Sequence, residues 1–407
     1  MNQKWEEPFW YSGVYNFLPE VRREMTFPKK VEICDLTLDE DGEGMAGAYM
    51  TEDEKASVAK LLDDIGIHRI GVLGFPSPIS KEEVAATKKI VNMGLRAKFQ
   101  SLATTKDDVN SAIEAGVRGI ILRKPCSDLY TPKPEPTGKK INDFVTLAGY
   151  AKSKGLHIGM MAQDITRADP ATTQEMICSI HKQVGLDELC VTDSQGVANP
   201  FGMSYLIRKI RTWVDVPLSV HCHNHLGMGV ANACAAVASG AQIVHTTVNG
   251  VGHFAGMPPL EEVAIALRIG FGIDIGIRYD RLYELSKTVE KYTGVKMQPH
   301  KPVVGDMMFS RSEERKDIQE MTDHMKSGLL KAYLPYLPEF VGNRLRVVMA
   351  EKTTRLAVEF NLAEMGIKAT EQQVDEIHRQ VKMLAIKERR IVPEEEFKLI
   401  AVEVVRG

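Results

Sequence analysis

The chain has 407 residues, 44% of them hydrophobic and 26% charged, with 51 Lys and Arg against 54 Asp and Glu. That apolar share supports a packed core and excludes disorder as a description of the whole, and a net charge of -3 offers no concentrated basic face for nucleic acid. No run approaches the roughly 18 apolar residues of a membrane span, and Met1–Trp10 has no basic segment leading into an apolar one, so it does not read as a secretory signal. Six cysteines, at 34, 126, 178, 190, 222 and 234, form no C-x-x-C pair and read as buried free thiols. These features predict a cytoplasmic globular protein.

From Val31 the chain alternates short β-branched runs with longer segments of helical period, the signature of repeated βα units. The expected strands are Val31–Leu38, His68–Phe75, Ala97–Ala103, Arg118–Lys124, His157–Asp164, Glu188–Asp193, Pro217–His223 and Gln242–Gly250. Helices are expected at Thr51–Ile65, Lys81–Met93, Lys106–Ala115, Ile141–Lys154, Ala171–Val184, Phe201–Thr212, Gly229–Ser239 and Pro259–Gly270. Eight such units fit a (β/α)8 TIM barrel of about 250 residues. A doubly wound open sheet fits less well, because DLTLDEDGEG after the first strand is no G-x-G-x-x-G phosphate turn.

Two appendages complete the parse, giving an arm over 1–28, a barrel over 29–275 and a helical C-terminal region over 276–407. The arm carries Trp5, Phe9, Trp10, Tyr11, Tyr15 and Phe17, an aromatic content that predicts docking on the barrel or on a second subunit. Beyond Ile275 no strand cadence continues; Lys301–Phe309 reads as a linker, and Thr370–Ile386 and Pro393–Val405 as amphipathic helices. The charge runs SRSEERKD and KERR read as solvated helix faces.

Active sites of such barrels lie at the C-terminal ends of the strands, so only strand-end residues are candidates. VHCHNHLG stands out, since alternation puts His221 and His223 on one face about 7 Å apart along the strand, with His225 joining them if extension continues. Paired imidazoles near a carboxylate suit a divalent metal such as Zn, Mn or Fe. The acidic turn at Asp39, Glu40, Asp41 and Glu43 faces them across the rim, with Gly42 and Gly44 to turn the backbone. Arg167 with Asp164 reads either as a bidentate carboxylate site or as an ion pair. Arg123, Gln163, Asp193, Ser194, Asn249 and His253 complete the strand-end set. His245, in mid-strand, reads as a satisfied core residue.

The chain resembles the DRE-TIM metallolyase superfamily, particularly homocitrate, isopropylmalate and Re-type citrate synthases. The resemblance rests on EICDLTL…DGEGMAG, HRIGVLGFPSP, DITRADP, VTDSQG, VHCHNHLGMGVANACAAVASGA, HTTVNGVGHFAGMPPLEEVAIAL and GIRYDRLYELSKTVEKYTGV…KPVVGD. It implies a TIM barrel, a divalent metal (Zn, Mn, Mg or Fe) on Asp41, His221 and His223, small-molecule substrates including an acyl-CoA, and a homodimer. The implied reaction adds an acyl-CoA enolate to a 2-oxo acid.

The departures fall on the chemistry. Where the family has L-R-D-G-E-Q, this chain has Leu38-Asp39-Glu40-Asp41-Gly42-Glu43-Gly44, with an inserted residue and an acid in place of the cation, which leaves both Glu40 and Asp41 as candidates to face the metal. The second-strand Glu becomes Gly71, the fifth-strand Glu becomes Gln163, and N-D after the histidines becomes Asn224-His225. G-E-R-A-G-N becomes Gly252-His253-Phe254-Ala255-Gly256-Met257, and the C-terminal H-E-S-G-I-H stretch reads Arg311-Ser312-Glu313-Glu314-Arg315. Arg167, Asp193, Ser194 and the HxH pair remain. We therefore expect a rebuilt site in which His225 is a third metal ligand, His253 with Gln163 and Arg167 is catalytic, and Arg123, Asp193 and Ser194 bind substrate. The expected activity is aldol- or Claisen-type carbon–carbon chemistry on an altered substrate; the alternatives are a retro-aldol lyase, another metal-dependent reaction, or a binding subunit without catalysis.

Overall fold

The computed structural model of the chain describes residues 5–39, 48–74, 79–131, 133–311 and 315–406. Eight parallel strands close into a barrel: β1 (Glu32–Leu38), β2 (Arg69–Val72), β3 (Lys98–Ala103), β4 (Gly119–Pro125), β5 (His157–Gln163), β6 (Glu188–Asp193), β7 (Leu218–Cys222) and β8 (Ile243–Thr246). The strands pair in sequence order, and β8 returns to β1 with Ile243 opposite Glu32 and Thr246 opposite Asp35. The helices between them are α1 (Glu52–Ile65), α2 (Lys81–Val91), α3 (Lys106–Ala115), α4 (Thr137–Ser153), α5 (Pro170–Val184), α6 (Pro200–Ile210), α7 (Gly229–Val237) and α8 (Leu260–Ile265). The strands are buried on both faces, as a helix-covered parallel sheet requires. On β6, for example, Leu189 and Val191 alternate with Cys190 and Thr192, all four buried.

Local sequence signals set the helix starts. Thr51 and Glu54 form a reciprocal capping box on α1, as do Thr105 and Asp108 on α3. Asp169 and Asn199 cap α5 and α6 ahead of Pro170 and Pro200 at the first turn. Four strands stop earlier than their sequence suggests: β2 at Val72, β5 at Gln163, β7 at Cys222 and β8 at Thr246. β5 ends at Gln163 because Asp164 turns left-handed (φ 57°), and Asn249 (φ 63°) sits in a tight turn over Val248–Gly250 beyond β8. All six cysteines are free, five of them buried.

The chain divides into two compact units. The first comprises residues 1–5 and 12–297, the second 6–11 and 298–407. Within the first, the arm is tied to the barrel by Ser12 Oγ donating to Ile269 O (2.8 Å) and Arg22 Nη1 donating to Phe271 O (2.8 Å). After the barrel this unit adds α9 (Leu282–Thr293). The second unit holds α10 (Arg315–Lys326), α11 (Arg355–Glu364), α12 (Glu371–Glu388) and α13 (Glu394–Arg406). Its core joins Ile318, Val358, Ile377, Val381 and Phe397. A short parallel pairing of Ser310–Arg311 with Arg346–Val347, unheralded by any strand cadence, belongs to it. So does the hairpin of Glu6–Glu7 with Trp10–Tyr11, in which Trp10 packs on Phe340 with ring centroids 4.7 Å apart. No helix is long and apolar enough to cross a membrane among the described residues.

Candidate active site at the C-terminal rim of the barrel

A cavity of about 210 Å³ opens at the C-terminal ends of β4 to β8. Arg123, Gln163, Ser194, His221, His223 and His253 line it, so six of the ten expected site residues share one wall system. Tyr130, Thr192, Gln195 and Phe254 line it too. Sequence reasoning missed these four. Thr192 was recoverable from its alternation with Ser194 along one strand, whereas Tyr130, in the turn after β4, carries no such periodic signal.

His221 and His223 converge as alternation requires: their Nε2 atoms are 3.3 Å apart, with His221 3% exposed. Burial alone pulls the His221 imidazole down to about 4, so it stays neutral and keeps a lone pair for a ligand. Two nitrogens about 2.1 Å from one ion, a tetrahedral angle apart, are about 3.4 Å from each other, so the pair fits a shared divalent ion. Asp41, the expected acidic ligand, lies outside the described residues, as do Glu40 and Glu43. Among the described residues no three His, Cys, Asp or Glu side chains converge as a metal cage.

His225 reaches the site by another route than strand extension. β7 ends at Cys222 and the chain turns, yet the His225 ring lies 5.3 Å from His223 and edge-on to Phe254 at 5.3 Å. Its Nδ1 is 2.7 Å from the Gln195 carbonyl oxygen, so Nδ1 carries the proton and the buried Nε2 presents a lone pair. Gly196 makes this approach possible. Its φ is +55°, and a Cβ there would lie 2.6 Å from His223 O and 2.8 Å from His225 N.

Two other expected site residues hold the scaffold. Arg167 is engaged by the fully buried Asp164 through Nε (2.9 Å) and Nη2 (2.8 Å). Asp193 accepts from Thr166 Oγ1 (2.7 Å) and from the backbone N–H of Ala198 (3.0 Å), fixing the loop after β6. Ser194 Oγ accepts from Asp164 N–H (2.9 Å) while lining the cavity. Asn249 spends its amide on the Ser286 carbonyl of α9 (2.9 Å). Met257, at the position of the family's asparagine, is fully buried with Cys34, Leu36 and Ile243.

Asp39 and Gly71, which look like separate departures in sequence, meet in space. A Cβ on Gly71 would stand 2.5 Å from Asp39 Oδ2, so the bare glycine on β2 is what admits the carboxylate from the end of β1. A second, smaller cavity of about 20 Å³ lies against Asp39, Gly74, Gln100, Ser101, Leu102, Met161 and His245. Backbone strain gathers at this rim: Leu73, Asp164, Asn249 and Phe254 account for four of the six non-glycine residues with positive φ among those described.

His245 is more than a self-contained core residue. Its Nδ1 lies 3.2 Å from Nδ1 of His221, the rings meeting edge-on at 5.4 Å between centroids.

The HMGL-like family model matches residues 30–289. The homocitrate synthase AksA of Methanothermobacter thermautotrophicus is 35% identical over 390 residues, covering 94% of this chain and 96% of that protein. The 2-isopropylmalate synthase of Methanocaldococcus jannaschii is 35% identical over 396 residues, covering 94% of this chain and 73% of that protein. The (R)-citramalate synthase CimA of the same organism is 36% identical over 359 residues, covering 86% and 70%. Among solved structures, the HMG-CoA lyase of Bacillus subtilis superposes with a TM-score of 0.60 at 17% identity over 67% of this chain and 97% of that one, a likeness of fold.

Proposed function

The chain belongs to the HMGL-like family, and on that premise we propose that it is a metal-dependent enzyme of aldol- or Claisen-type carbon–carbon bond formation, joining the acyl carbon chain of an acyl-CoA to a carbonyl acceptor. The observation that carries this reading is the His221–His223 pair, the Nε2 atoms of a buried and a half-buried imidazole 3.3 Å apart in the wall of a 210 Å³ cavity at the C-terminal end of the barrel. A pair of imidazole nitrogens facing one another serves poorly as structural packing and well as a divalent-ion seat. The ion, when bound, would act as a Lewis acid on the acceptor carbonyl.

The chain's own side chains supply the rest. Arg123 contributes a cation to the cavity wall, suited to a carboxylate or to the thioester end of the acyl donor. Gln163 cannot ionise and orients polar substrate atoms by hydrogen bonding. His253, in the cavity wall, and His225, beside His223, are the imidazoles placed to move protons: one proton leaves the acyl carbon as it becomes nucleophilic, and one is delivered to the acceptor oxygen as the new bond forms. Water then splits the thioester and releases CoA. Asp39, occupying the volume above Gly71, puts negative charge beside the cavity region where the resemblance implies an arginine. We infer that the acceptor differs there from an ordinary 2-oxo acid, because an acid repels a carboxylate.

The test is release of free CoA thiol from acetyl-CoA by the metal-loaded full chain against a panel of carbonyl acceptors, including 2-oxo acids and analogues lacking or altering the carboxylate. Release with at least one acceptor, lost in His223→Ala, is expected. No release with any of them would overturn the synthase reading.

A further inference from the structure

His245 lies on β8, 1% exposed, and the barrel register explains its position: Ile243 and Val244 stand opposite Ser219 and Val220 of β7, so the next residue along falls beside His221. Two facing Nδ1 atoms 3.2 Å apart share one hydrogen. For His221 to present a bare Nε2 toward His223, its own proton must be on Nδ1. His245 Nδ1 is then the acceptor, and the His245 proton is on Nε2. Cys190 Sγ, at 4.0 Å from His245 Nδ1, is a weaker donor to it.

We propose that His245 is a positioning residue for the metal seat: it accepts the Nδ1–H of His221 and so fixes the tautomer and ring angle that turn His221 Nε2 toward His223. A ligating histidine commonly gives its second N–H to a carboxylate, a carbonyl or water. Here an imidazole takes that role, which holds the ring in place without adding negative charge to the seat. The His245 Nε2 has no protein hydrogen-bond partner and is buried, and His245 borders the 20 Å³ cavity whose walls include Asp39, Gln100 and Ser101. That volume and polarity suit one water molecule, which would take up the His245 Nε2–H and link the seat to the acid above Gly71.

This inference rests on the metal reading proposed above, and its test keeps the two apart. Zn²⁺ affinity would be measured by chelator competition on the full-length wild type, His221→Ala, His245→Leu and His245→Asn. The expected result is a loss of about 10- to 100-fold in His245→Leu and recovery of most of it in His245→Asn, whose Oδ1 stands near the position of the lost Nδ1. Independently of any variant, the ¹⁵N spectrum of histidine-labelled, Zn²⁺-loaded wild type should show His221 protonated on Nδ1. Wild-type affinity in His245→Leu, an Asn variant no better than the Leu variant, or a His221 proton on Nε2 each overturns the inference. Should His245→Leu fail to fold, the spectrum of the wild type decides alone. If His221→Ala loses the ion while His245→Leu keeps it, only this inference falls; if the wild type takes up no Zn²⁺, the metal reading falls with it.

Discussion

The two ends of the barrel treat buried polar groups in opposite ways. At the N-terminal floor, Arg69 donates to Glu32 (2.8 Å) and Glu188 (2.6 Å), and Ser219 Oγ donates to Glu188 (2.6 Å). Burial acts to raise the Glu32 carboxyl, but hydrogen bonds from Lys30 and Arg69 overcome it and hold the group down at about 2. Charge meets countercharge there and is consumed. At the C-terminal rim, His221, His223 and His253 share the wall of one cavity, and Asp35, fully buried on β1, is pushed up to about 7 by burial. The floor is built to be finished and the rim to remain reactive, the division expected where one end of a barrel stabilises and the other catalyses.

That contrast can be broken from either end. The largest effect is expected at the rim: His223→Ala should lower turnover about a thousandfold with little change in the urea midpoint, both measured on the same preparation. Comparable inactivation with a collapsed midpoint would put His223 in the scaffold instead. At the floor, Arg69→Met leaves Glu188, with a side chain 1% exposed, without its cation. The expected loss is about 3–5 kcal/mol of stability in urea denaturation, with kcat retained per folded molecule.

Asp35 sharpens the comparison through pH. A folded value of about 7 against an ordinary 3.8 means that ionisation disfavours the fold. This group's contribution is therefore complete below about pH 4, declines as pH rises and is fully lost above about pH 7, up to about 4 kcal/mol in all. The melting temperature of Asp35→Asn should accordingly gain on wild type between pH 4 and 7 and hold a constant lead above it. A difference that does not vary with pH would mean that Asp35 is already ionised in the fold. The smallest effect belongs to Phe254→Ala. That ring is 89% exposed, so stability should shift by less than about 0.5 kcal/mol, while KM rises if the ring closes over substrate.

Much of this was legible in one dimension because it obeys a short period. Alternating βα segments announced the barrel, and the spacing of two between His221 and His223 placed both on one face of a strand. Alternation failed where the backbone leaves the strand. His225 faces the site because of a turn that Gly196 makes possible, and Asn249 turns away from it at a positive φ. Neither event has a sequence period. The region beyond residue 297 was readable as helices but not as the owner of the Trp10 hairpin, since docking of a distant segment is a matter of surface complementarity.

The sequence by itself determined the layers: which residues face inward, which strand ends carry chemistry, and where helices start, because these follow from periodicity and from capping side chains acting over three or four residues. Only the tertiary structure decided which separate changes belong together. Gly71 and Asp39 are 32 residues apart in the chain yet share one volume, and His245 and His221 are 24 apart yet share one hydrogen. Parallel pairing of neighbouring strands brings such pairs within contact, and the register between the strands, which no local pattern encodes, selects the partners.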